Sequence, residues 1–219
     1  MKTIRLGRIE YTACWKMQNE LASARSRGEI DDTLLLLEHP PTITLGRSAK
    51  SNHLVTSVDE LENAGVALVE VDRGGDITYH GPGQLVGYPI FDLRSHGQDL
   101  HLFLRKIEQA LIETIGQFGL HGRRFPPHTG VWVGDEKIAA IGIKVSKWIS
   151  THGFALNVNP DMSHFSHIIP CGIVDYGVTS MECLLDPCPT LSEVSDAASD
   201  CFAFAFATEI RQTADYIPS

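Results

Sequence analysis

With 219 residues, 43% of them hydrophobic and 21% charged, the chain is long enough to bury a sizeable core and ordinary enough in composition to form one soluble globular domain over 1–219. A net charge of −9 disfavours nucleic acid as the main partner, because phosphate binding draws on clustered Lys and Arg. No apolar run approaches the about 18 residues of a membrane span, and the opening Met-Lys-Thr-Ile-Arg-Leu-Gly-Arg lacks the apolar centre of a signal peptide. A cytoplasmic protein with no membrane contact is expected. Cys14, Cys171, Cys183, Cys188 and Cys201 are odd in number and unevenly spaced, which fits reduced thiols better than a disulfide framework.

In chain order, TIRLGRIEY opens as a strand, and the segment from Thr12 to about Arg25 places Cys14, Met17, Gln18 and Leu21 at helical spacing. TLLLLEHPPTITLG contains two strand-forming runs split by Pro40-Pro41, which cannot lie inside one strand. SVDELENAG carries the Ser57/Glu60 capping box of a short helix that leads into the strand VALVEVD. A longer helix starts at Asp99, with Leu100, Phe103, Leu104, Ile107, Leu111, Ile115 and Phe118 on one face, and ends at Gly119. GVWVGDEKIAAIGIKVSKW reads as a hairpin turning at Gly134-Asp135, and HGFALNV as the next strand. The tail from Thr190 to about Ile210 forms a second amphipathic helix. Strand runs with helices inserted irregularly predict an α+β fold, a mixed, largely antiparallel sheet with packed helices.

Three segments carry chemistry. RGGDITYHGPGQLVGY, residues 73–88, sets five glycines beside Arg73, Thr78, Tyr79, His80 and Gln84; such a backbone can approach an elongated ligand closely, although an ordinary glycine-rich hairpin would show the same composition. It has neither a phosphate-loop pattern nor a dinucleotide fingerprint. In KIAAIGIKVSKW, strict alternation puts Lys137, Ala139, Ile141 and Ile143 on one face and Ile138, Ala140, Gly142 and Lys144 on the other, with small residues leaving room for an acyl chain. Cys171 lies between Pro170 and Gly172. A free thiol is only slightly ionised at neutral pH, so it needs a nearby cation to act as a nucleophile, and its local sequence alone favours a structural thiol. Cys183 and Cys188 lack a second Cys/His pair, so no metal site is expected. His39, His80 and His152 each fall at a predicted strand end, where sites tend to form.

Taken together and in this order, RGGDITYHGPGQ, KIAAIGIK, HGFALNVN and IIPCGI resemble the lipoyl(octanoyl) transferase family over most of the chain. The resemblance implies a fold like the catalytic domains of biotin and lipoate protein ligases. The implied reaction moves an octanoyl group from octanoyl-acyl carrier protein to a lysine of lipoyl domains, those of 2-oxoacid dehydrogenase complexes and the glycine cleavage H protein, as the first step of endogenous protein lipoylation. By the same resemblance Cys171 matches the acyl-thioester nucleophile and Lys137 the lysine that lowers its pKa, with Lys144 as competitor. The acyl pocket would comprise Arg73, Gly74, Gly75, Asp76, Ile77, Thr78, Tyr79, His80, Ala140, Ile141, Gly142, Gly153, Phe154 and Ala155. A thioester is already activated, so neither ATP, metal nor another cofactor is implied, and a monomer is expected. Arg123, Arg124, Lys144 and Lys147 offer a basic patch for acidic carrier domains. The alternatives are an ATP-dependent lipoate ligase of the same fold, a lipoyl or octanoyl amidotransferase, and a non-catalytic acyl-binding module.

Overall fold

The structure, a computed structural model, describes residues 1–170 and 176–206 together with the backbone of 211–212. The chain opens with β1 (Lys2–Arg8) and α1 (Tyr11–Ser26), followed by β2 (Thr33–Glu38) and β3 (Thr42–Leu45) on either side of the proline pair. Next come α2 (Val58–Asn63), β4 (Ala67–Glu70), β5 (Ile77–His80) and β6 (Gln84–Ile90). After α3 (Leu100–Gly116) the chain runs through β7 (Arg123–Phe125), β8 (His128–Val133), β9 (Glu136–Ser146) and β10 (Ile149–Asn157). It closes with β11 (Gly177–Val178), α4 (Met181–Leu184), α5 (Leu191–Ala205) and β12 (Arg211–Gln212).

The large sheet has the order β12-β1-β2-β6-β10-β9-β8-β7, with β11 added to β9; a smaller sheet has the order β4-β3-β5. Pairing is parallel where β1 meets β2 and β12, and where β11 meets β9; the remaining pairs of the large sheet are antiparallel. This is the mixed, largely antiparallel α+β arrangement that the strand and helix pattern predicts. Pro40-Pro41 does more than interrupt a strand: it carries the chain from β2 in the large sheet to β3 in the small one. The Gly81-Pro82-Gly83 turn makes the same crossing between β5 and β6, so residues 73–88 are not a hairpin.

α3 and α5 pack on one face of the large sheet, where Phe103, Ile107, Leu111, Val194 and Phe202 meet Leu34, Leu36, Phe154 and Leu156. Asp99 caps α3 by accepting from the His101 and Leu102 amides at 2.7 and 3.2 Å. Thr190 and Glu193 form a capping box for α5 that resembles the Ser57/Glu60 box of α2. Leu100, which helical spacing assigns to the packed face of α3, is 41% exposed because it opens the first turn. The expected continuation of the tail helix over 207–210 lies outside the described residues.

α1 covers the opposite face, placing Cys14, Met17 and Leu21 over Leu35, Leu37, Val86 and Tyr88. Burial pushes the Cys14 thiol up to about 12 and raises that of Cys201, so both behave as small hydrophobes. A third cluster lies beneath the small sheet, where Ile43, Leu61, Tyr79 and Phe165 meet.

Two features of β9 depart from the expected pattern. The strand ends at Ser146 and turns through Lys147 and Trp148, at φ 50° and 68°, directly into β10, so the strand expected from His152 begins at Ile149. Two-residue hairpins need positive φ and usually signal it with Asn-Gly, which is why Lys-Trp hides this turn. The second feature is a register shift in the β8–β9 pair, where Val131 faces Ala139 but Trp132 faces Lys137. Ile138 is thus an extra residue, a bulge that breaks the two-residue alternation.

Candidate active site

The α1 face of the large sheet is not covered along its whole length. Between α1, the small sheet and the β9–β10 hairpin lies a narrow cleft. Its floor consists of small residues from two paired strands, with Ala140 opposite Ala155 and Gly142 opposite Gly153. Arg73, Gly75, Asp76, Ile77, Thr78 and His80 form the wall from the β4–β5 side, and Tyr11, Tyr88 and His152 close the far end. Beyond Ala140, Ala155 and Thr78 the cleft continues into a narrower pocket with Gln84, Lys137, Asn157, Phe165, Pro170 and Val178.

The wall can come this close because Gly142 has no side chain. A Cβ there would lie 2.8 Å from Gly74 O and 3.2 Å from Arg73 Cδ. Gly74 N donates to Ile143 O at 2.9 Å, laying the 73–74 segment across β9. The buried Arg73 guanidinium donates to Thr44 O and Thr44 Oγ1, each at 2.8 Å, and to Gly74 O at 3.1 Å, tying the small sheet to this crossing. Asp76 accepts from the Ile77 amide at 2.8 Å, and its other oxygen lies 2.6 Å from His53 Nδ1.

Not every expected pocket residue points inward. Tyr79 alternates away from the cleft, stacks on His164 at 5.0 Å and packs in the core beneath the small sheet, where burial pushes its hydroxyl up to about 12. Phe154 sends its ring to the helix face, 5.1 Å from Phe202, so what it offers the cleft is main chain. Gly74 acts through its backbone crossing and does not line the cleft.

Lys137 is 5% exposed and stands on the cleft face. Strict alternation assigns Lys137 and Lys144 to opposite faces, and the structure corrects this: the bulge at Ile138 returns Lys137 to the side that carries Ala140, Gly142 and Lys144. Thr179 N donates to Lys137 O at 3.0 Å, Asn157 Nδ2 donates to Thr179 O at 2.9 Å, and Asn157 Oδ1 accepts from Gln84 Nε2 at 2.9 Å. Pro170 and β11 therefore bring both flanks of residues 171–175 to the Lys137 pocket. Cys171 itself lies outside the described residues.

Lys144 sits at the other end, bonded to Asp72 Oδ2 at 2.5 Å. His152 Nε2 donates to Asp72 Oδ1 at 2.8 Å, and the Tyr11 hydroxyl lies 3.3 Å from His152 Nδ1. Burial pushes the Asp72 carboxyl up, but its bonds to Lys144 and His152 outweigh this and hold it below the usual carboxylate range. Burial lowers His152, with Asp72 opposing. His152 adopts φ 58°, a left-handed conformation that costs a β-carbon residue roughly 1 kcal/mol or more. Gln18 Oε1 holds it there by accepting from the His152 amide at 2.8 Å.

His80 is fully enclosed, and burial, reinforced by His39, Arg73 and His152 nearby, drives it well below its ordinary range; it is a neutral ring. Burial likewise lowers His39 to about 4. Its Nδ1 donates to Ile9 O at 2.6 Å, leaving Nε2 to accept from the Tyr88 hydroxyl at 2.7 Å. Tyr11 and Asp72 were not legible as site residues, since neither belongs to a motif, and Tyr88 ends the glycine-rich 73–88 segment without being marked out within it. His152 carried a weak signal as a strand-end histidine.

The expected basic patch does not form. Arg123 is engaged by Gly134 O and Asp135, Arg124 by Glu108 and Gln109, and Lys144 by Asp72. Arg123 and Arg124 adjoin the Lys137 end of β9, and Lys144 lies about 20 Å further along it at the rise of an extended strand.

A family model described as the lipoyl protein ligase A/B catalytic domain matches residues 10–203. An octanoyltransferase of Chloroflexus aurantiacus is 52% identical over 209 residues, covering 94% of this chain and 94% of that protein. Lipoate-protein ligase A bound with ATP is similar in structure at a TM-score of 0.78 and 18% identity, covering 97% of this chain and 89% of that one. Biotin protein ligase from Aquifex aeolicus is similar at a TM-score of 0.55 and 14% identity, covering 94% and 69%. At such identities the last two speak for the fold alone.

Proposed function

The chain belongs to the lipoyl protein ligase A/B catalytic-domain family and is an octanoyltransferase of protein lipoylation, and from that premise we propose that it works through an octanoyl thioester on Cys171. The donor is octanoyl-acyl carrier protein, and the acceptor is a lysine of a lipoyl domain of 2-oxoacid dehydrogenase complexes or the glycine cleavage H protein. The whole chain acts as one catalytic domain, monomeric and cytoplasmic.

The observation that carries this reading is the continuity of the cleft: a buried lysine and Pro170, the residue before Cys171, share one pocket that opens past Ala140 and Ala155 into a small-residue groove. Cys171 transfers its proton to Lys137, and the thiolate attacks the thioester carbonyl. The carrier thiol departs with the Lys137 proton, leaving the octanoyl group on sulfur. The acceptor amine then attacks, Lys137 takes its proton, and the thiolate leaves as the amide forms. Exchange of one thioester for another is nearly neutral in free energy, so the groove serves to position the acyl carbon. His80, neutral and enclosed, is a poor base and shapes the wall instead. The acyl chain lies along Ala140, Gly142, Gly153 and Ala155, its end directed toward Tyr11 and His152.

Mass spectrometry after incubation with octanoyl-acyl carrier protein tests this. An octanoyl adduct should form on the wild-type chain without ATP and be absent from Cys171→Ala. Lipoyl-domain modification that needs ATP and survives Cys171→Ala would establish the ligase alternative.

A further inference from the structure

Trp132 has no part in the scheme above, yet it faces Lys137 directly across the β8–β9 pair. Lys137 Nζ lies 5.0 Å from the centroid of its indole, within reach of the electron-rich ring face. Trp132 is 1% exposed, and its Nε1 has no hydrogen-bond partner among the described residues. Buried indoles ordinarily satisfy that group, so the use of this side chain lies in its ring. Phe125 at 5.0 Å, Tyr176 at 5.8 Å and His128 at 6.0 Å surround the indole and fix its plane.

The backbone prepares the same contact. The extra residue at Ile138 brings Lys137 onto the Trp132 side, and bulges commonly re-aim a side chain beside an active site. Gly130 leaves a lane for the lysine stem: a Cβ there would lie 3.4 Å from Lys137 Cε and 2.6 Å from Ala139 O. A flexible four-carbon stem is thus confined between a bare glycine and an indole face, with its carbonyl held by Thr179 N.

We propose that Trp132 is a positioning residue, holding the Lys137 ammonium over its indole so that the charge stays fixed at the inner end of the acyl cleft. This rests on the assignment of Lys137 as the charge partner of the Cys171 thiolate. A displaced ammonium stabilises the thiolate less, so loss of the ring should raise the pH at which the thiol ionises.

The test follows Cys171 alkylation by iodoacetamide against pH, read on the Cys171 peptide, in full-length Trp132→Phe, Trp132→Met, Lys137→Met and the Trp132→Met/Lys137→Met double variant. The midpoint should rise slightly in Trp132→Phe, whose ring attracts a cation less strongly, and by about one pH unit in Trp132→Met, a loss of thiolate that approaches tenfold at pH values well below the midpoint. The double variant should match Lys137→Met alone. A wild-type midpoint in both Trp132 variants, or a Trp132→Met shift that persists without Lys137, overturns the proposal. Should Trp132→Met not fold, a wild-type midpoint in Trp132→Phe is sufficient to overturn it. An unchanged midpoint in Lys137→Met instead removes the Lys137 assignment itself, a separate failure.

Discussion

Lys137 and Lys144 stand an odd number of residues apart on β9, yet both present their side chains to the cleft face, because the bulge at Ile138 reverses the alternation between them. They are not interchangeable. Lys137 is buried beside Pro170, whereas Lys144 is bonded to Asp72 at the opposite end of the groove. Lys137→Met should therefore lower the rate of octanoyl transfer by about 100-fold or more, the usual size of an acid–base contribution. Lys144→Met should cost less than about tenfold, through the freed Asp72. Equal losses in single-turnover assays would show that the two lysines share the role.

Ala140 and Ala155 form a cross-strand pair at the neck between the Lys137 pocket and the wider cleft. Leucine at 140 should fill the neck without altering the helix packing on the other face of the sheet. Ala140→Leu is expected to lose octanoyl transfer while retaining transfer from short acyl thioesters such as acetyl. Competition among donors of graded length reads this out, and a uniform loss at every length would place the acyl chain elsewhere.

Gly142→Val presses a side chain into Gly74 O and Arg73 Cδ. Overpacking of this kind costs about 1–3 kcal/mol, which for a chain of this size amounts to a few degrees in melting temperature for each kcal/mol. The larger effect should fall on catalysis, because the displaced 73–75 segment is the cleft wall. Calorimetry with a donor titration should show a folded variant whose KM for octanoyl donors has risen.

Histidine burial predicts a pH dependence of stability. His39 is lowered to about 4 in the folded chain, against about 6.5 when unfolded. The unfolded state thus binds the extra proton between these values, and stability rises with pH across that interval. The contribution, about 3 kcal/mol by linkage, is fully present above pH 6.5 and lost as pH falls toward 4. His39→Gln should flatten the stability-against-pH curve by about one proton over that interval, measured by urea unfolding at a series of pH values. An unchanged slope would show that His39 is not buried as a neutral ring.

Much of this protein is local in origin. The capping residues Ser57 and Asp99 sit at the starts of the helices they announce, because a side-chain oxygen reaching the first free amides requires only nearby residues. The small residues of β9 and the glycine-rich 73–75 segment could be recognised as pocket material because the absence of side chains is itself written in sequence. The proposal for Cys171 rests on the company of the other motifs, because its own neighbours, Pro170 and Gly172, point only to a turn.

What tertiary structure decided is non-local. The bulge at Ile138 exists only in the pairing of β9 with β8, so no inspection of KIAAIGIK alone could turn Lys137 toward Ala140. The Asp72–His152–Tyr11 chain joins residues from α1, the segment after β4 and β10, which approach one another only when α1 packs across the sheet. Arg124 reads as a free surface charge until β7 places it on Glu108 of α3. Local sequence determined the elements and the kind of chemistry they carry, because capping, periodicity and side-chain size act over a few residues. Side-chain direction and charge pairing were decided by tertiary structure, because both depend on partners contributed by distant strands and helices.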